Sequence, residues 1–169
     1  MAMEVTQILL NAQSPDGAVR KLAEDNLKQF QEQNLPSFLL SLAHELANNE
    51  KPPESRKLAG LILKNSLDAK DAIRKAELMQ AWVSLNSALK AQIKTSLLNT
   101  LSSTVIEARH TSSQVIAKVA AIEIPQGQWP ELIGILLANM GAPQGEQSAV
   151  LRQSTLETLG YVCEEVSAN

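Results

Sequence analysis

Apolar positions follow a helical rhythm along nearly the whole chain. Val5, Ile8, Leu9 and Ala12 recur at i, i+3, i+4 and i+7. "SPDG" at 14–17 breaks that run. Ser14 is predicted to cap a second helix with Pro15 in its first turn, and Val19, Leu22, Ala23, Asn26, Leu27 and Phe30 to form its buried stripe. Asn34 caps a third helix with Leu35, Phe38, Leu39, Leu42 and Leu46 on one face, stopped by "NNEKPP" at 48–53. Glu54–Leu67 is the fourth. The polar link "DAKD" at 68–71 leads to a short helix over Arg74–Val83 that carries Leu78, Met79 and Trp82. Ser87 is read as the cap of the next helix, with Leu89, Ile93, Leu97, Leu98 and Leu101. Ser112–Ile122 follows with Val115, Ile116, Val119 and Ile122. After the turn "IPQGQWP" come a helix over Trp129–Met140, a loop "GAPQGEQ" at 141–147 and a closing helix over Ser148–Val166. No segment of useful length alternates with a period of two, so the expected fold is all-α with about nine helices.

A repeat decides between a bundle and a row. "NLPSFLLSLAHEL" (34–46) and "QWPELIGILLANM" (128–140) align so that Leu35 meets Trp129, Pro36 meets Pro130, Phe38 meets Leu132, Leu39 meets Ile133, Leu42 meets Leu136 and Leu46 meets Met140. Each such helix is followed by a loop and a second apolar helix. Hairpins of about 30–40 residues are the size of HEAT units, and a hairpin apolar on more than half its circumference needs a neighbour on each side. The expected architecture is an armadillo-like α-α superhelix of about four repeats, over 4–33, 34–67, 87–122 and 128–166, with an inserted short helix near 73–83. A stacked array curves and offers a long concave surface, which suits a protein partner.

Composition narrows the function classes. Residues 1–100 hold 12 Lys/Arg against 11 Asp/Glu, and residues 101–169 hold 3 against 7. No basic excess marks a nucleic-acid footprint, and the acidic second part suits a basic partner or simple solubility. No run of about 18 apolar residues predicts a membrane span, and the start lacks the basic segment of a signal peptide. The single Cys163 excludes an internal disulfide and a CxxC metal site. It sits in "LGYVCEEV" beside apolar residues and is expected to be a buried small hydrophobe. His44 and His110 lie far apart in sequence, and no phosphate loop or HExxH accompanies them, so no catalytic group and no metal or cofactor is expected. His44 is placed towards solvent or a neighbouring repeat, and His110 at a helix junction. The charged run "KLAEDNLKQFQEQN" at 21–34 reads as a solvated face.

The stretch "LAGLILKNSL" at 58–67 is the most apolar, yet it ends in Lys-Asn-Ser. At 100° per residue, Lys57, Gly60 and Lys64 fall on one narrow polar stripe. Glycine costs a helix about 1 kcal/mol relative to alanine, and without a Cβ it lets another backbone or side chain come close. The stripe is therefore either a contact surface or a solvated face with a tolerated glycine. Asn65 and Ser66 point into the apolar arc and are expected to bond the last helical carbonyls or the next repeat.

"LAGLILKNSL" followed by Trp82 resembles the N-terminal domain of the importin-β superfamily, whose pattern is an apolar helix ending in Leu/Phe-Lys-Asn with a tryptophan downstream. "QNLPSFLLSL" (33–42), "AAIEIPQGQWPELI" (120–133) and "STLETLGYVCEE" (154–165) narrow the similarity to the branch that works with importin-α. It runs from about Glu4 to Asn169. The resemblance implies HEAT repeats and a nuclear import receptor, not an enzyme, that moves between cytoplasm and nucleus through the pore and releases cargo on binding Ran-GTP. It places Ran on the concave inner helices of the first repeats. Carried onto this chain, the contacts are Lys57, Gly60 and Lys64, with Glu157 as an acidic contact from the last helix. Asn65 and Trp82 match the motif as structural residues, Trp82 in the core. Importin-α, cargo localisation signals and Phe-Gly nucleoporins are implied partners, held mostly by repeats beyond this chain, which is read as an N-terminal fragment of a longer solenoid. No nucleic acid and no membrane insertion are implied. The alternative reading is a HEAT scaffold of a phosphatase or vesicle-coat complex.

Overall fold

The computed structural model describes residues 4–141 and 145–167. Among these there are nine α-helices and no strand: α1 (Val5–Asn11), α2 (Gly17–Gln33), α3 (Leu35–Ala47), α4 (Pro53–Asn65), α5 (Ala72–Val83), α6 (Ser87–Thr100), α7 (Ile106–Glu123), α8 (Leu132–Met140) and α9 (Glu146–Ser167). Part of the expected loop at 141–147 lies outside the described residues; α9 begins at Glu146 rather than Ser148.

Short polar side chains cap α2, α3, α5 and α6, and at two of these starts the cap is not the residue expected. Asp16, not Ser14, caps α2 by accepting from the N–H groups of Ala18 and Val19; the Ser14 hydroxyl instead accepts from Asp16 N–H. Asn34 caps α3 through Ser37 N–H, with Pro36 in the first turn where its missing donor costs nothing. Asn86, not Ser87, caps α6. In each corrected case the better acceptor lies one or two residues away from the serine. α7 starts at Ile106, six residues earlier than its apolar rhythm suggests. Its first turns carry Glu107, Arg109 and His110, and Arg109 is buried there with Nη1 donating to Ser103 O at 2.8 Å. His110 is therefore inside a helix, not at a junction. Trp129 and Pro130 precede α8 in a turn entered through a short 3-10 segment (Ile124–Gln126) and Gly127, whose φ of 66° favours glycine.

The helices pair as α1–α2, α3–α4, α6–α7 and α8–α9, and the pairs stack in two layers. One layer runs α1–α4–α7–α9; the other runs α2–α3–α6. The core lies between them, with Phe38, Leu42, Leu46, Leu63, Ile93, Leu97 and Leu132 at 1 % exposure or less. The α7–α9 joint is lined by hydroxyls instead of large apolar groups. Ser113, Ser154, Thr155 and Thr158 are buried there, Thr158 Oγ1 lying 2.7 Å from Ser154 O and 3.0 Å from Ser113 Oγ, whereas the buried Ser112 turns to α6 and donates to Leu97 O. The repeat at 34–46 and 128–140 is kept at Phe38/Leu132 and Leu42/Leu136, which are buried. It departs at Leu39/Ile133, where Ile133 is 43 % exposed, because α3 packs on α2, α4 and α6 whereas α8 packs chiefly on α9.

Two expectations of burial fail. Val19 and Leu22 of α2 are exposed, at 37 % and 61 %. α1 has seven residues against the seventeen of α2 and leaves its first turns uncovered. Cys163 is exposed. It shares one solvent face of α9 with Leu156 and Gly160, while its neighbour Val162 turns inward; the angular position on the helix decides, not the apolar company in sequence.

Trp82 is in the core, as its motif implies, and it anchors a charge. The side chain is 1 % exposed, and Nε1 donates to Glu123 Oε2 at 2.9 Å. Glu123 is itself buried and accepts from Lys94 Nζ at 2.7 Å, and that ammonium stands 4.9 Å from the ring centroid of Trp129. α5 and α6 thus meet α7 on one carboxylate, and the turn before α8 packs against its lysine partner. Removing the indole donor leaves Glu123 buried with one partner fewer, which costs about 1–3 kcal/mol. Trp82→Phe is expected to lower unfolding free energy by about that amount in urea titration; a change under about 0.5 kcal/mol would deny the hydrogen bond any weight.

Candidate partner-binding face

The α1–α4–α7–α9 layer carries the residues singled out by sequence, but not in the arrangement expected. On α4 the exposed stripe is Glu54, Lys57, Leu61 and Asn65, about 60° round the helix from the Lys57–Gly60–Lys64 stripe at 100° per residue. Gly60 is buried, not a contact for a partner. A Cβ there would overlap Thr111 Cγ2 and crowd Leu46 Cδ1 at 3.3 Å. The missing side chain lets α7 close onto α4, and that contact turns the helix. Leu61 is 46 % exposed as a result, and Lys64 is half-buried. Asn65 is exposed rather than finishing the helix end; Ser66 alone does that work, donating to Ile62 O at 2.8 Å.

Lys57, Leu58, Leu61 and Lys64 of α4 face His110, Thr111 and Gln114 of α7 across an open groove of about 330 Å³. Lys64 Nζ donates to Gln114 Oε1 at 3.4 Å, and Gln114 Nε2 lies 3.4 Å from His110 Nε2. The other ring nitrogen of His110 is 3.5 Å from Tyr161 Oη and 4.0 Å from Glu157 Oε1 on α9. Lys57, Lys64 and Glu157 therefore belong to one surface, with Gln114 and His110 as the links between them. Neither link is given a contact role from sequence, where His110 enters only as a histidine with no catalytic partner beside it. Their signal is the half-polar stripe His110, Gln114 and Lys118 at i, i+4 and i+8 of α7.

Beside this groove is a second, basic one, lined by Lys64, Asn65, Asp68, Lys70, Lys75 and Lys118. Asp68 is bracketed by Lys118 Nζ at 2.7 Å and Lys75 Nζ at 3.5 Å, and Lys118 also reaches Glu165 at 2.6 Å. Burial pushes the Asp68 carboxyl up, but the hydrogen bond from Lys118, the charges of Lys118 and Lys75 and the Ala69 N–H outweigh it and hold its pKa below the ordinary value. Burial likewise works against the Lys118 ammonium, and its bonds to Asp68 and Glu165 outweigh that and raise its pKa. Among the described residues no group of three His, Cys, Asp or Glu is placed to hold a metal, and no helix is long and apolar enough to cross a membrane.

Two measurements check this geometry. Gly60→Ala is expected to lose about 1–3 kcal/mol from the forced contact, offset by up to about 1 kcal/mol of helix propensity, and Gly60→Ala/Thr111→Ser should recover most of it; a single variant that melts above the parent would mean α4 and α7 are not in rigid contact. The ion network gives a pH signature. Asp68, held low, contributes stability that is present above its unfolded value near 3.9 and lost as pH falls through its folded value. Lys118, held high, contributes fully below about 10.4, and that part is lost as pH rises through its folded value. The melting difference between the parent and Lys118→Met should therefore be level from about pH 5 to 9 and shrink on either side; a difference that grows towards low pH would exclude the network.

Residues 23–103 match the sequence family described as the importin-beta N-terminal domain. The chain is 65 % identical over 167 residues to importin subunit beta-1 of Arabidopsis thaliana, covering 99 % of this chain and 19 % of that protein. It is 40 % identical over 165 residues to importin subunit beta-1 of Schizosaccharomyces pombe, covering 98 % and 19 %. The chain thus spans about a fifth of the length of these relatives. Among solved structures it superposes on yeast importin-beta, Kap95p, with a TM-score of 0.89 at 36 % identity over 96 % of this chain and 19 % of that one. A second Kap95p structure, in which Kap95p binding induces the switch loops of RanGDP to adopt the GTP-bound conformation, matches with a TM-score of 0.89 and 36 % identity over 97 % and 19 %. A Kap95:Nup1 complex matches at 0.88 and 36 % identity, over 96 % and 19 %. The stacked helix pairs are a HEAT solenoid, and the chain belongs to the importin-β superfamily, of which it carries the N-terminal domain.

Proposed function

We propose that the chain is the N-terminal part of a nuclear import receptor, and that its α1–α4–α7–α9 layer helps to bind Ran-GTP, which releases cargo. The observation that carries this reading is the coincidence of two things. An open face bearing Lys57, Leu61, Lys64, His110 and Glu157 lies on a fold that matches a Ran-engaging karyopherin over 97 % of its residues. A small GTPase presents a mixed surface, and this face offers lysines, an exposed leucine and a carboxylate within one groove system. The receptor reading also implies travel between cytoplasm and nucleus, cargo held directly or through importin-α, and passage by contact with Phe-Gly nucleoporins. The Kap95:Nup1 match supports the last of these. Gly60 is not among the proposed contacts, being buried under Thr111, and the structural roles assigned to Trp82 and Ser66 leave Lys57, Lys64 and Glu157 as the residues to test.

Binding to GTP-loaded Ran is expected to exceed binding to the GDP form; equal affinities would remove the reading. Lys64→Glu reverses a charge in the groove and should weaken the GTP-form complex by about tenfold or more, with the melting temperature unchanged. Lost melting at unchanged affinity would assign Lys64 to the fold.

A further inference from the structure

Internal repetition shows what one exposed face is built to hold. α3 aligns with α8 so that Phe38 and Leu42 fall on Leu132 and Leu136, all four buried. The same alignment sets Leu39 and Ala43, buried in α3, on Ile133 and Leu137, which are exposed in α8, Leu137 at 60 %. α4 aligns with α9 at its glycine: Gly160 falls on Gly60, and Thr155 on Ser55, both hydroxyl residues being buried. Leu156 and Cys163 then fall on Arg56 and Leu63. The α4 residues are buried, whereas Leu156 is 57 % exposed and Cys163 is exposed. In α3 and α4 the burial has a visible cause. The α6–α7 hairpin covers that side, with α6 along α3, α7 along α4, Thr111 over Gly60 and Ser103 against Arg56. At Gly160 a Cβ would meet nothing within 4 Å among the described residues.

We propose that the outer side of α8 and α9 is a seat for one further helix hairpin, whose second helix lays a small or β-branched side chain against Gly160. Glycine weakens a helix, and at 160 it gains no contact inside this chain. A helix closing onto it, as α7 closes onto Gly60, gives the missing Cβ its use. A solenoid end that meets water carries a polar outer face; this side instead carries Ile133, Leu137 and Leu156 in the open. A leucine or an aromatic ring over Gly160 would hold the two helices apart, so the incoming residue is of the size of Thr111. The inference deepens the receptor reading and rests on it for the source of the hairpin, since the chain spans about a fifth of the relatives it matches.

The chain's own hairpin is the probe. Residues 68–126, which carry α5, α6 and α7, are appended after Asn169, and alkylation of Cys163, the single cysteine of the parent, is followed. The appended α7 should close onto α9, and Cys163 should react more slowly than in the parent by about tenfold or more. Gly160→Val and Leu137→Glu change positions open to solvent. Neither should lower the melting temperature of the parent, yet each should return Cys163 of the extended chain to nearly the parent's rate. An appended hairpin that adds no helix by far-ultraviolet ellipticity, or that folds and leaves Cys163 as reactive as before, overturns the seat. Full protection kept by Gly160→Val overturns it too. So does protection in the parent that rises with concentration, because the occupant would then be a second copy. None of these readouts involves a GTPase: an extended chain that protects Cys163 and binds no GTP-loaded Ran would end the Ran reading and leave the seat standing.

Discussion

The layer that carries the candidate face depends on how close α4 can come to α7. Only a residue without a Cβ fits under Thr111, and that contact fixes the rotation of α4 about its own axis. The rotation in turn decides which side chains reach solvent. Leu61 is turned out, Lys64 is drawn against Gln114, and Asn65 leaves the core. A bulkier residue at 60 would push the helices apart and rotate the lysines away from the residues of α7 that complete the groove. The glycine belongs to the packing of the site rather than to its contacts.

Buried charges pin the joints. Isolated charges are expensive away from water, and paired ones return that cost only with good geometry. Arg56 is 1 % exposed, donating from Nε to Leu46 O and from Nη2 to Ser103 Oγ, and burial lowers its pKa against the pull of Glu45. Glu45 accepts from Thr6 and Ser55. Glu123 gathers Trp82 and Lys94. Arg56 and Glu45 tie elements of different helix pairs, and Glu123 ties α5 to the α6–α7 pair, so a slip of one against the next would strand a charge. Apolar contact alone tolerates such a slip far better, because it has no preferred direction. The α7–α9 joint is the contrast, since Ser113 and Thr158 lean there on main-chain carbonyls of their own helices.

Helices such as α2 and α3 are legible from periodicity because each has one dominant buried face, whereas α7 is buried on several. The ends were less so, since Asp16 and Asn86 compete with adjacent serines for the same backbone donors. The start of α7 was hidden by its polar content: Arg109 is buried by virtue of Ser103 O, a partner that no local pattern announces. On α4 the wheel identified Lys57 and Lys64 but misplaced the solvent side by about 60°, because a hydropathy pattern counts glycine as polar when its smallness is what draws a neighbour in. Cys163 and Val162 show the same limit, being neighbours about 100° apart on one helix, the first towards solvent and the second towards the core. Gln114 and His110 matter through one another and through two other helices, and such three-way juxtapositions exist only after folding.

The network at Glu123 has a practical side for spectroscopy. The chain's two tryptophans both stand at it, Trp82 bonded to the carboxylate and Trp129 beneath the Lys94 ammonium. Intrinsic emission is therefore a local probe of the α5–α6–α7 junction and is blind to the α1–α2 end. A fluorescence melt that runs ahead of, or lags behind, the loss of far-ultraviolet ellipticity would show that the solenoid does not come apart in one step, and would say at which end it begins.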